Sequence, residues 1–231
     1  MTKNVALVTG AAGGMGSAIA ARLIGEGWLV ASFDRRDAPS ATASWQVDVA
    51  DQIAVTAAIA EIEQELGPVA GLVSAAGHYE SLPFIDVSDG AASAMLRVHL
   101  GGFFAVTRAV IPGMIERGNG RIVAIVSELA IGGGERDSHY SAAKGAVLGA
   151  MRSLAAELGD SGITVNAVAP GPTNTALLVP SSPWRASDYL DTLPTRALAE
   201  PDDIAACVSY LLKSSGFITG ETLHPNSGAV I

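Results

Sequence analysis

Three residues bring the means for proton chemistry. Ser127 is followed 13 positions later by Tyr140, and Lys144 stands four positions beyond. The stretch after Tyr140, SAAKGAVLGAMRSLAAEL, is rich in helix formers, with apolar residues recurring at Ala143, Val147, Ala150, Leu154 and Leu158. That pattern predicts a helix. Residues at i and i+4 share a helix face, which turns Tyr140 and Lys144 toward the same space. A free tyrosine has a pKa near ~10 and is a poor base at neutral pH; an ammonium beside it favours the phenolate. A serine hydroxyl can hold a carbonyl or alkoxide oxygen while the tyrosine exchanges its proton, which suits an alcohol/ketone pair. The same tyrosine–lysine spacing also occurs on ordinary surface helices, so the surrounding elements decide.

Those elements are strands that end in chemistry. GRIVAIVS reads as a buried parallel strand with Ser127 at its C-terminal end, joined to the helix by a loop holding Gly132, Gly133 and Gly134. Asn4–Thr9 is a short apolar strand, followed by Gly10-x-x-x-Gly14-x-Gly16, with Gly13 and Met15 inside the loop, and then a helix closed by Gly27. Glycines there allow a tight turn and close approach to a pyrophosphate, and the helix start offers free N–H groups. Trp28–Phe33 forms a second strand with Asp34 at its tip. An acidic residue about 20 positions past such a loop can accept both ribose hydroxyls of an adenosine and repel a 2′-phosphate. Arg35 and Arg36 can instead embrace that phosphate or stack on adenine; the carboxylate at the strand end favours NAD over NADP.

Trp45–Val49 reads as a third strand, where Asp48 either meets the adenine edge or caps a helix or turn. Residues 50–66 read as a helix. Val69–Ala75 reads as a fourth strand, running into Ala76 and Gly77. A long helical region over about 85–117 contains His99, and Ile163–Val168 precedes Pro170, Gly171, Thr173 and Thr175. Residues 176–200 carry Pro180, Pro183, Trp184 and Pro194 without strong periodicity, which suggests a substrate loop or lid. A helix over 202–213 and a last strand near 217–224 complete the chain. Strands alternating with helices imply an α/β, doubly wound parallel sheet of about seven strands in a three-layer arrangement. Ligands of such sheets bind beyond the carboxyl ends of the strands, where all these residues converge. One domain is expected over residues 1–231.

Composition narrows the function classes. Hydrophobic residues make up 49% of 231, and charged ones 16%, which supports a large core. A net charge of −9 argues against binding nucleic acid. The single cysteine, Cys207, rules out an internal disulfide and reads as a small core residue. The four histidines lack metal-ligand spacing, so no metal is expected. No apolar stretch of the sequence reads as a membrane span, and the N-terminus lacks signal-peptide features, so a cytoplasmic location is the expectation.

With these motifs together, the sequence resembles the short-chain dehydrogenase/reductase family, a Rossmann-like fold, along essentially its whole length. Thr9-Gly10-x-x-x-Gly14-x-Gly16 matches the family's cofactor loop. Ser127, Tyr140 and Lys144 match its catalytic residues, and Asn166 with Pro170-Gly171 matches its sixth-strand motif. The resemblance implies that Tyr140 is the acid/base, that Lys144 lowers its pKa and binds the nicotinamide ribose, and that Ser127 polarises the substrate oxygen. It implies cofactor contacts from Gly10, Gly13, Gly14, Met15 and Gly16, from Asp34, Arg35, Asp48 and Val49, from Ala75, Ala76 and Gly77, and from Pro170, Gly171, Thr173 and Thr175. The chain departs from the family at Ser74-Ala75-Ala76-Gly77, at Asn226-Ser227-Gly228 and at Val98-His99-Leu100, where an asparagine is usual. His99 either replaces that asparagine in a water relay to Lys144 or is a satisfied core histidine.

The expected reaction is NAD(H)-dependent interconversion of a secondary alcohol and a ketone. NADPH-dependent reduction of a carbonyl or 3-oxoacyl thioester is the alternative, and a catalytically silent NAD-binding regulator a remote one. Expected substrate contacts are Ser127, Leu129, Tyr140, His78 and Trp184, and Arg185 or Arg196 are candidates to hold an anionic tail. The resemblance also implies a homotetramer or homodimer, for which Ala143, Ala146 and Ala150 offer a small-residue stripe that can equally face the sheet.

Overall fold

The computed structural model describes residues 3–214 and 216–230. Seven strands form one parallel sheet: β1 (Val5–Thr9), β2 (Leu29–Asp34), β3 (Ala43–Gln46), β4 (Val69–Ser74), β5 (Gly120–Ile125), β6 (Ile163–Val168) and β7 (Thr222–Leu223). Their order is β3-β2-β1-β4-β5-β6-β7. The chain winds outward from β1 to β3, then returns to pair β4 on the other side of β1. That reversal opens a crevice above the carboxyl ends of β1 and β4, the position where doubly wound sheets take their ligands.

Alternation along each strand feeds two cores. Val5 and Leu7 of β1 join Phe33, Val55, Ile59 and Ile62 on one face, and Ala6 and Val8 join Ile19, Leu23, Val208 and Leu211 on the other. The first face is covered by α2 (Gln52–Glu65), α3 (Asp89–Leu96), α4 (Gly102–Arg117) and α6 (Ser138–Leu158), and the second by α1 (Gly14–Gly25) and α8 (Pro201–Lys213). Two short helices, α5 (Leu129–Gly132) and α7 (Ser187–Leu190), lie in the connections. The architecture is thus the expected Rossmann-like three-layer one. The helix running Asp89–Arg117 is long and apolar enough to cross a membrane by length and composition alone. Its Met95, Phe103, Val106, Val110 and Met114 are instead buried, as befits a core helix.

Several boundaries differ from the sequence expectation. β3 begins and ends earlier than Trp45–Val49, because its partner β2 stops at Asp34, which pairs with Gln46. The last strand shrinks to the two residues that pair with Ala167 and Val168. Between α3 and α4 the backbone widens into a π-helical turn at Arg97–Gly101, centred on His99. Such turns occur often at functional sites. Ala143 is fully buried, whereas Ala146 and Ala150 of the small-residue stripe are half-buried, Ala150 packing on the first core. Cys207 is half-buried on α8 against the second core, in keeping with its expected role.

Candidate active site

The glycine loop is shaped by close backbone approach. Gly10 has φ of +73°, and a Cβ there would lie 2.9 Å from backbone atoms of Ala75 and Ala76. The Thr9 hydroxyl accepts hydrogen bonds from the Ala75 and Ala76 amides, both 3.0 Å, clamping the ends of β1 and β4 together. A Cβ on Gly16 would overlap the Gly10 carbonyl, and one on Gly14 would press on the Thr175 side chain at 2.8 Å. No side chain caps α1 at Gly13. Its first-turn N–H groups therefore remain available to an anionic group, and the cradle fits a dinucleotide pyrophosphate.

At the adjacent strand tip, Asp34 Oδ2 accepts from the Ala12 amide at 3.1 Å and Oδ1 from the Arg36 amide at 3.1 Å. The carboxylate is thereby fixed beside the glycine loop. The Arg36 guanidinium folds back to donate to the Ala12 carbonyl at 3.2 Å, while Arg35 is exposed. Asp48 is exposed and accepts from the Ala50 amide at 2.9 Å, making a turn; the residue that caps α2 is Asp51, which accepts from Ile53 and Ala54. Val49 is buried, packed on Gly102 of α4.

Ser127, Tyr140 and Lys144 come together above β5. Ser127 lies two residues past the strand, buried, its Oγ accepting from the Leu129 amide at 3.2 Å. Tyr140 and Lys144 both lie in the first turns of α6, which begins at Ser138. Lys144 Nζ is 5.8 Å from the Tyr140 ring centroid and donates to the Ile125 carbonyl at 2.8 Å. Burial pushes the Tyr140 phenol up to about 12, against the lowering effect of the Ser127 hydroxyl beside it. Burial also brings Lys144 down to about 8. The lowering effect on the phenol comes from Ser127, while the Lys144 ammonium is directed at a strand carbonyl.

His99 stands edge-on to Tyr140, ring centroids 5.6 Å apart. Its Nε2 lies 2.9 Å from the His78 carbonyl and 3.3 Å from the His78 amide nitrogen. The shorter contact assigns the proton to Nε2, leaving Nδ1 a buried acceptor without a partner. Burial pushes its pKa down to about 3, so His99 stays neutral and does not titrate near physiological pH as its residue type suggested. Gly77 is required beneath it, since a Cβ there would collide with the imidazole. His78 was expected against substrate; instead its backbone holds His99, and it does not line the cavity described next.

A cavity of about 950 Å³ opens over Ser127 and Tyr140. Met15, Pro170, Gly171, Thr173 and Thr175 line one side, and Leu129, Tyr79, Trp184 and Tyr189 the other. Tyr79 is held by a 2.7 Å hydrogen bond to Asp137 and packs edge-on against Tyr140, with Trp184 next to it. Arg185 does not face an anionic tail. Its guanidinium donates to the Leu178 carbonyl at 2.9 Å and Asn174 Oδ1 at 2.8 Å, tying the 176–200 segment to the turn after β6. Asn166 is structural, joined to Ile218 and Glu221. Glu128 lines the cavity without having been singled out in the sequence, although an acid directly after the strand-end serine was a signal; Tyr189 lines it from within the 176–200 segment expected to form a substrate loop. Among the described residues no acid/histidine/cysteine cluster could hold a metal ion.

Comparison with known proteins agrees with this layout. The family model for short chain dehydrogenase matches residues 4–186. The chain is 37% identical to nodulation protein G of Azospirillum brasilense, over 99% of this chain and 98% of that one. It is 34% identical to acetoacetyl-CoA reductase of Allochromatium vinosum, covering 97% and 98% respectively. Thermoplasma acidophilum aldohexose dehydrogenase superposes with a TM-score of 0.91 at 30% identity, over 98% of this chain and 93% of that one. With the glycine cradle, the strand-end serine and the tyrosine–lysine helix in one crevice, the chain belongs to the short-chain dehydrogenase family and is an oxidoreductase.

Proposed function

We propose that this oxidoreductase interconverts a secondary alcohol and a ketone with NAD(H), and that Tyr140 is its acid/base. The observation that carries the reading is that Ser127 and Tyr140 line the cavity that Met15, Thr173 and Thr175 also line, with Lys144 buried behind Tyr140 one helical turn along α6. A nicotinamide dinucleotide, when bound, accepts or supplies the hydride that changes the oxidation level of the carbon. The chain's own residues handle the oxygen and its proton. Ser127 donates to the substrate oxygen and fixes its position. In oxidation the Tyr140 phenolate takes the carbinol proton; in reduction the phenol returns it to the carbonyl oxygen. Lys144, already close to neutrality, favours the phenolate whenever it is charged. His99 presents an unprotonated Nδ1 where an ordered water can link it to Lys144, so its role is that of a neutral positioning acceptor. Asp34 supports NAD, because a carboxylate fixed at the tip of β2 can accept from ribose hydroxyls and repels a 2′-phosphate.

A second reading, NADPH-dependent reduction of a 3-oxoacyl thioester, is favoured by the likeness to acetoacetyl-CoA reductases and by exposed Arg35 and Arg36. Initial rates with NADH and NADPH on a panel of simple ketones and acetoacetyl-CoA, with the reverse reactions, separate the two. Turnover at least tenfold better with NADPH, on the thioester alone, would replace the first reading by the second.

A further inference from the structure

Glu128 is a buried cavity-wall carboxyl that the acid/base machinery leaves without a task. It follows Ser127 directly and is only 6% exposed. Its Oε2 has no hydrogen-bond partner and packs toward Gly171, where a Cβ would come within 3.0 Å of that oxygen. Its backbone is fixed at both ends: the amide donates to the Pro170 carbonyl at 3.1 Å, and its carbonyl accepts from Ile131 and Gly132 at 2.9 Å. The main chain that carries the carboxyl is therefore fixed beside Ser127. Among the described residues the carboxyl forms no ion pair, although Arg136 lies on the wall of the same cavity. Burial raises its pKa to about 7. It lines the same cavity as Tyr140 and Tyr189, and its charge raises both phenols.

A buried carboxyl without a partner destabilises a fold, and an incoming hydrogen-bond donor removes that penalty. Resting on the alcohol/ketone reading above, we propose that Glu128 is a specificity-determining residue that selects substrates carrying a hydrogen-bond donor, hydroxyl or ammonium, next to the reacting carbon. Glu128, Ser127 and Tyr140 line one cavity, so a substrate whose oxygen is held by Ser127 and Tyr140 occupies the space that Glu128 also borders. The remaining wall suits a compact polar substrate with an apolar or aromatic flank against Tyr79, Trp184 and Tyr189. Once ionised the carboxylate only accepts, so above pH 7 an acceptor at that carbon, such as a carboxylate or phosphate, is disfavoured.

The test compares 2-butanol, 2,3-butanediol and 3-amino-2-butanol as substrates for the whole protein with NAD and NADP, in wild type, Glu128→Leu and Glu128→Gln. In wild type, kcat/KM for the diol or the amino alcohol should exceed that for 2-butanol by about tenfold or more, and Glu128→Leu should remove that preference, chiefly through KM. Retention of the preference in Glu128→Gln identifies a hydroxyl, since the amide oxygen still accepts; its loss identifies an ammonium. If Glu128→Leu does not fold, Glu128→Ala takes its place. Equal preferences in wild type and variant, or an equal loss on all three alcohols, overturn the assignment while leaving the alcohol/ketone reading intact. No turnover of any alcohol or of the corresponding ketones, with either cofactor, overturns both.

Discussion

At the scale of single residues, burial sets the electrostatics of this site more than pairing does. Tyr140 and Lys144 are pushed in opposite directions, both toward their neutral forms, by removal from water. Replacing Tyr140 by Phe should lower kcat by about 10²–10⁴-fold, the range for losing a positioned acid/base, while dinucleotide affinity measured by calorimetry changes little. A fall in both by the same factor would show that the phenol binds rather than transfers a proton. Glu128 leaves a separate mark on stability. Its folded pKa is raised, to about 7, above the ordinary value of 4.5. The folded state therefore holds its proton where the unfolded chain has lost it. The stabilising effect is complete below pH 4.5 and is lost as pH rises through 7. Wild type should accordingly lose about 1–2 kcal/mol relative to Glu128→Gln between those limits, allowing for screening by water in the cavity. Urea titrations at pH 4.5, 6 and 8 measure this, and parallel curves for the two proteins would contradict the burial of the carboxyl.

At the scale of elements, the site depends on how closely strand ends approach one another. Gly10 combines a positive φ with contact to the backbone of Ala75 and Ala76, the segment that Thr9 clamps. Gly10→Ala should cost on the order of 2–3 kcal/mol in stability and weaken dinucleotide binding together, because one shift moves both β1 and β4. A stable variant that lost only binding would mean that the loop adapts without disturbing the strands. The π-helical turn at Arg97–Gly101 is the other element that matters here. It presents His99 to the His78 backbone and to Tyr140, and it requires Gly77 opposite. His99 remains neutral, so His99→Asn should lower kcat without displacing the pH–rate profile between pH 5 and 9, a range well above its pKa of about 3. A displaced profile would mean that His99 itself gains or loses a proton during turnover.

At the scale of the whole molecule, the reversal of strand order brings together residues far apart in the chain. Asp34, the glycine loop, Ser127 and Thr175 meet at one sheet edge only because β1 pairs with both β2 and β4 while β5 and β6 follow outward. The proposed preference for NAD is tested at that edge. Removing the carboxylate in Asp34→Ala should reduce the NAD-over-NADP ratio of kcat/KM by about 10–100-fold, with Arg35 and Arg36 left to meet a 2′-phosphate. An unchanged ratio would assign the discrimination elsewhere.

The sequence by itself determined the fold class, the glycine cradle and the Ser127, Tyr140 and Lys144 set, because these rest on local patterns. Period-2 and period-3.6 apolar spacing specifies strands and helices, and a strand-end serine or a tyrosine–lysine pair on one helix face can be read without knowing the partners. Only the tertiary structure decided where β3 stops, since that depends on the length of β2 beside it. It alone showed that His78 supports His99 rather than substrate, that Arg185 is tied to Leu178 and Asn174, and that Ala143 is fully buried. It alone revealed Glu128 as an enclosed carboxyl lacking a partner. Burial and hydrogen-bond partners come from chain segments distant in sequence, and the resulting pKa values follow from that enclosure rather than from residue type.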